Sequence, residues 1–112
     1  MWAEPIKFRR ADAPSKRAIC VIVRGEASEG AQDEVEALLK DLAFSVDVEE
    51  PGCTSYVLTR QMGSRRTFVV HARFVDWRAF QRHAETPHFN RMLPRLTRLL
   101  AAPVSMEIFL EV

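Results

Sequence analysis

The spacing of apolar residues changes repeatedly along this chain, and each change marks an element. Ala18 to Val23 (AICVIV) is an unbroken apolar, β-branched run, as a strand buried on both faces requires; it continues to about Ala27. Ser28 to Gly30 turns the chain. Val35, Leu38, Leu39, Leu42 and Val46 then recur at helical spacing, with Glu34, Glu36, Lys40 and Asp41 off the stripe, which predicts an amphipathic helix with one buried face ending before Pro51-Gly52. Cys53 to Arg60 and Arg66 to Val75 are β-branched and aromatic, and Gly63 lies in the short loop between them, so they read as a hairpin. Asp76 can cap a short helix filled by Trp77, Ala79, Phe80 and Ala84. Thr86-Pro87 starts another, with Phe89, Met92, Leu93, Leu96 and Leu100 as its stripe and Pro94 predicting a kink. Val104, Met106, Ile108, Leu110 and Val112 alternate with Ser105, Glu107, Phe109 and Glu111 in a closing strand with one buried face.

The order is β-α-β-β-α-β, an α+β, ferredoxin-like pattern in which an antiparallel sheet carries its helices on one face and the first strand lies between the third and fourth. Cys20 and Cys53 then sit two strand spacings apart, about 9 to 10 Å, beyond the roughly 7 Å reach of a disulfide. Phe68, Val70, Ala72 and Phe74 share one face of their strand, while Val69 and His71 lie on the other. A sheet with two apolar faces and helices on one needs a further cover. A homodimer paired sheet to sheet is the simplest.

Composition narrows the picture. The 112 residues suit one domain, taken as 18–112, preceded by an arm at 1–17 with Pro5, Pro14 and five basic residues but no periodicity. Trp2, Ile6 and Phe8 are the arm residues able to dock it onto the domain or a second subunit. A net charge of +1 points to no nucleic acid, and no apolar run nears the roughly 18 to 20 residues of a membrane span; a cytoplasmic protein is expected. Arg91, Arg95 and Arg98 read as a solvated helix face.

The stretch from Glu49 to Phe89 carries a resemblance. EPGC (Glu50 to Cys53), a hairpin, an aliphatic strand and then VDWRAFQRHAETPHF (Val75 to Phe89) resemble the antibiotic biosynthesis monooxygenase domain, from about Ala18 to Val112. Asp76, Ala79-Phe80, His83 and Thr86-Pro87-His88-Phe89 are its most specific part. The resemblance implies a dimeric α+β barrel and a space between sheet and helices for a small aromatic substrate. Several members oxidise anthrones, quinols or related polyphenols with molecular oxygen, without metal or flavin. Where many members carry a glutamate in the third strand and an aromatic two residues later, this chain has Ala72 and Phe74. Haem-degrading relatives place their iron ligand near Leu93, which cannot ligate.

Oxygenation without a cofactor needs a base of near-neutral pKa, an apolar pocket and a partner for the oxyanion. Histidine is the natural base. His83, at the position of the family histidine, is the leading candidate, followed by His88 at a helix start and His71 in mid-strand. Tyr56, Phe74, Trp77 and Phe80 are the candidate substrate-binding residues, since an aromatic substrate would stack there. The histidine spacing matches no metal motif, so no metal is expected, and the resemblance implies that no cofactor is needed. The expected function is a cofactor-independent monooxygenase of quinol-like or polycyclic aromatic molecules. The alternative, prompted by Ala72, is a non-catalytic dimeric module that binds a small ligand or serves in assembly.

Overall fold

A computed structural model describes residues 16–112. The expected docking of Trp2, Ile6 and Phe8 falls outside the described residues. The elements follow as β1 (Ile19–Glu26), α1 (Gln32–Glu49), β2 (Cys53–Arg60), β3 (Thr67–Phe74), α2 (Trp77–Glu85), α3 (Pro87–Leu99) and β4 (Ser105–Leu110). The sheet order is β2-β3-β1-β4 with every pairing antiparallel, so β1 lies between β3 and β4 as the ferredoxin-like pattern requires. Both cysteines are free thiols. No described helix is long and apolar enough to cross a membrane.

Register assigns the faces. Phe68, Val70, Ala72 and Phe74 on β3 stand beside Gly25, Val23, Val21 and Ile19 on β1, and this face meets the helices. Cys20, Ile22, Val57, Val69, His71 and Phe109 fall on the opposite face, where Val57 and Phe109 remain 49% and 47% exposed. α1 buries Val35, Leu38, Leu39, Leu42 and Val46, the whole of the stripe read from spacing. Phe44 and Val48 on the same helix point outward, 70% and 62% exposed, an apolar pair that the stripe does not include. α3 runs through Pro94 as one element.

The core has two parts. One joins α1 and α3 around Phe68; the other joins the sheet to α2 around Phe74 and Phe80, and Cys53, Tyr56 and Leu58 touch both. The chain passes between these parts at two tight places. In the first, Pro51-Gly52 turns from α1 into β2: the Cys53 amide donates to the Glu50 carbonyl and the Val75 amide to the Gly52 carbonyl. A Cβ on Gly52 would stand 2.8 Å from that of Ala79, so the turn presses against α2 and admits no side chain. In the second, Thr86 ends α2 and begins α3 in one residue: its hydroxyl donates to the His83 carbonyl at 2.8 Å and accepts from the Phe89 amide. Asn90 reinforces the break by donating to the carbonyls of Ala84 and Thr86.

Because backbone and α2 cannot both hold their places around an added methyl, Gly52→Ala should cost about 1–3 kcal/mol of stability. Urea unfolding measures it. A neutral result would mean that α2 moves freely, contrary to this packing.

Candidate functional site

The two tight places bring three polar side chains together. Glu50 closes the C-terminal end of α1, its amide donating to the Val46 carbonyl. His83 lies in the last turn of α2 and His88 in the first turn of α3. The Glu50 carboxylate meets His83 Nδ1 at 3.0 and 3.1 Å through its two oxygens and bonds His88 Nε2 through Oε2. All three side chains are nearly buried, at 6% exposure for each histidine and 9% for the glutamate. One carboxylate is shared by two imidazoles inside the protein.

Charge and tautomer follow from that contact. Burial is the largest influence on Glu50 and pushes its carboxyl upward, but the hydrogen bonds and positive character of His83 and His88 together outweigh it, and the carboxyl ends below its ordinary value. Glu50 is therefore ionised at neutral pH and can only accept. Each ring nitrogen facing it must then carry the proton. In their neutral forms His83 is the Nδ1–H tautomer, with its lone pair on Nε2, and His88 is the Nε2–H tautomer, with its lone pair on Nδ1.

His83 is ringed by aromatic groups: the Phe89, Phe74 and Tyr56 centroids lie 5.0, 5.4 and 5.8 Å from its own. Phe80 packs edge-on against Phe74 at 5.4 Å and Trp77 against Phe80 at 5.2 Å. The four candidate aromatic residues and His83 thus form one cluster, to which Glu50 ties His88. Burial, and then the nearby Cys53 and Glu50, push the Tyr56 hydroxyl well above its usual range, so it remains a neutral donor. Its hydroxyl has no hydrogen-bond partner among the described residues. Burial likewise pushes the Cys53 thiol up to about 11, which leaves it neither nucleophile nor base. His71 stands apart, exposed on the open face of the sheet opposite Ile22 and Val57. The Thr59 hydroxyl donates to the Val69 carbonyl, so its oxygen accepts from His71 Nε2 at 3.3 Å.

Ala72 faces the helices beside Tyr56 and Val21, so the strand position at which the resemblance expects a carboxylate carries only a methyl. The carboxylate of this site is that of Glu50, for which sequence reasoning proposed no role. Its signal was its place at the head of the EPGC motif. Among the described residues no set of three His, Cys, Asp or Glu side chains is disposed to hold a metal ion. On the far side of Glu50, His88 lines a groove of about 410 Å³ between α1 and α3.

The depressed Glu50 carboxyl has a measurable sign. A folded-state pKa below the unfolded one contributes stability that is present above the ordinary value of 4.5 and is lost as pH falls through the folded value. Glu50→Gln should lower stability at pH 7 by about 1.5–3 kcal/mol, since two hydrogen bonds to a charged acceptor are weakened. The gap between the two proteins should narrow as pH drops below 4.5. Denaturant unfolding across that range checks both statements, and a pH-independent gap would contradict them.

Comparison with known proteins agrees with the fold. No protein of curated function matches the chain. Among solved structures, a candidate antibiotic biosynthesis monooxygenase of Caulobacter crescentus is similar at 25% identity and a TM-score of 0.82, over 87% of this chain and 92% of that one. Two others, at 24% identity, share the fold: an antibiotic biosynthesis monooxygenase with a TM-score of 0.78, over 84% of this chain and 98% of that one, and a protein of Mycobacterium tuberculosis with a TM-score of 0.79, over 85% and 95%. Residues 18–95 match the antibiotic biosynthesis monooxygenase family, a span that takes in β1, Glu50, the aromatic cluster and both buried histidines. The chain belongs to the antibiotic biosynthesis monooxygenase family.

Proposed function

We propose that the protein is a cytoplasmic monooxygenase that oxidises a quinol-like or polycyclic aromatic molecule with O2, using His83 as its base and no metal or flavin. The observation that carries this reading is the Glu50 carboxylate held between His83 and His88 beside Tyr56 and Phe74. Ionised Glu50 leaves the Nε2 lone pair of His83 free to take a proton, and stabilises the imidazolium that forms. The aromatic ring of the substrate would lie against Tyr56, Phe74, Phe80 and Trp77, with the neutral Tyr56 hydroxyl as donor to its oxyanion.

The chemistry balances without a further reagent. Removing a proton from a methylene activated by a phenolic ring gives a delocalised carbanion. That anion passes one electron to O2, the carbon radical and superoxide combine into a peroxide anion, and the protonated His83 returns its proton to give the hydroperoxide. Loss of water leaves a carbonyl, so CH2 and O2 become C=O and H2O. The methylene carbon loses four electrons, and dioxygen takes them.

Oxygen uptake over a panel of anthrones, hydroquinones and polycyclic phenols tests the proposal, with ¹⁸O2 to confirm that label enters the product. The wild type should turn over at least one class, and His83→Ala should lose about 10²–10⁴-fold in rate. Saturable binding of panel members by folded wild type without any uptake would refute the enzyme reading and favour a binding module.

The open sheet face supports a second part of the proposal, a homodimer paired sheet to sheet. Cys20, Ile22, Val57, Val69 and Phe109 make an apolar strip there, beside Arg73, which is paired with Glu111. Sedimentation at micromolar concentration should give a dimer, and Val57→Lys combined with Phe109→Lys should give a monomer. A monomeric wild type would overturn the pairing.

A further inference from the structure

The groove beside His88 belongs neither to the aromatic cluster nor to the open sheet face. α1 lines it with Leu38, Asp41, Leu42 and Ser45, and α3 with His88, Arg91, Met92 and Arg95. Both sets have the spacing i, i+3, i+4, i+7, so each is one stripe of its helix and the two stripes face each other. Leu38, Leu42 and Met92 are buried and form an apolar floor. Its volume of about 410 Å³ falls within the range of small-molecule sites.

Two features separate this groove from an ordinary solvated seam between helices. Arg91 and Arg95 make no ion pair or hydrogen bond with any described residue, although Asp41 stands on the opposite wall; the lining therefore carries two guanidinium groups against one carboxylate. His88 is the second feature. Its side chain is only 6% exposed, its Nε2 is committed to Glu50, and its Nδ1 makes no hydrogen bond with a described residue. A nitrogen lone pair reachable from an apolar trough, together with unpaired guanidinium groups on the same wall, is a set of complementary contacts for one kind of molecule. His88 and Arg95 are seven residues apart on α3, about 10 Å along the helix axis, close to the length of a two-ring aromatic acid.

We infer that this groove is a binding site for a hydroxylated aromatic carboxylate. The carboxylate pairs with Arg91 and Arg95, which suit it through bidentate, charge-assisted hydrogen bonds. The rings lie on Leu42 and Met92, whose thioether favours aromatic contact. The hydroxyl donates to His88 Nδ1. Asp41 tempers the charge of the groove and sets a limit on affinity for the anion. The inference stands on the groove alone and needs no turnover.

Titration of 6-hydroxy-2-naphthoate into the full chain, with the matching amide as neutral control, tests it. The acid should bind about tenfold or more tightly than the amide. The double variant Arg91→Ala/Arg95→Ala should lose that preference while still binding the amide as the wild type does. Arg98→Ala, which changes charge on the same helix outside the lining, should leave both affinities unchanged, and Asp41→Asn should tighten the acid. Imidazole nitrogen spectra should show the ligand moving the His88 Nδ1 resonance. Equal affinity for acid and amide, no saturable binding at millimolar ligand, or a double variant that binds the acid like the wild type would each overturn the inference. All the substituted side chains are exposed, and thermal melting confirms that the variants are folded.

Discussion

A single carboxylate fixes how the three helices meet. Glu50 sits where α1 ends and bonds the last turn of α2 through His83 and the first turn of α3 through His88. Taking a carboxylate out of water is costly, and only such paired, well-aligned donors offset that cost. The surrounding backbone is arranged to supply them. Gly52 lets the turn after Glu50 lie against α2. Thr86 ends one helix and begins the next without a spacer, so the two imidazoles are held at a fixed separation.

That arrangement also divides the space around Glu50. On one side His83 looks into Tyr56, Phe74 and Phe89; on the other His88 opens into the groove between α1 and α3. The carboxylate therefore gives two imidazoles opposite outlooks and, through its acceptor-only character, complementary tautomers. Ala72 fits the same account. A carboxylate on β3 at that position would bring a second negative charge close to Tyr56 and the Glu50 site, and a methyl there leaves Glu50 as the acceptor of the two histidines.

Much of the fold was legible because apolar periodicity is a local signal. The α1 stripe, the hairpin and the caps at Asp76 and Thr86 all follow from neighbours within a few residues. The site was legible only in part. His83 and the aromatic residues stood out by type and by resemblance, but Glu50 lies in an acidic run at the end of a helix, 33 residues from His83. Apart from its place at the head of EPGC, nothing local distinguishes it from Glu49. Only the close packing of Gly52 on α2 brings it to the imidazoles, and packing of that kind leaves no periodic trace. The outward Phe44 and Val48 were similarly invisible, since an apolar residue off the main stripe can be buried or exposed without changing the pattern. His71 is the converse case: alternation placed it opposite Phe68 and Phe74, and only the sheet register identified that face as the one without helices.

The central claim is that ionised Glu50 sets the proton positions on both histidines. Long-range ¹H–¹⁵N spectra of the imidazoles at pH 8 read those positions directly. The account predicts His83 as the Nδ1–H tautomer and His88 as the Nε2–H tautomer, with both patterns altered in Glu50→Gln. A His83 ring protonated at Nε2 with its Nδ1 bare would contradict it, because that nitrogen could donate nothing to the carboxylate.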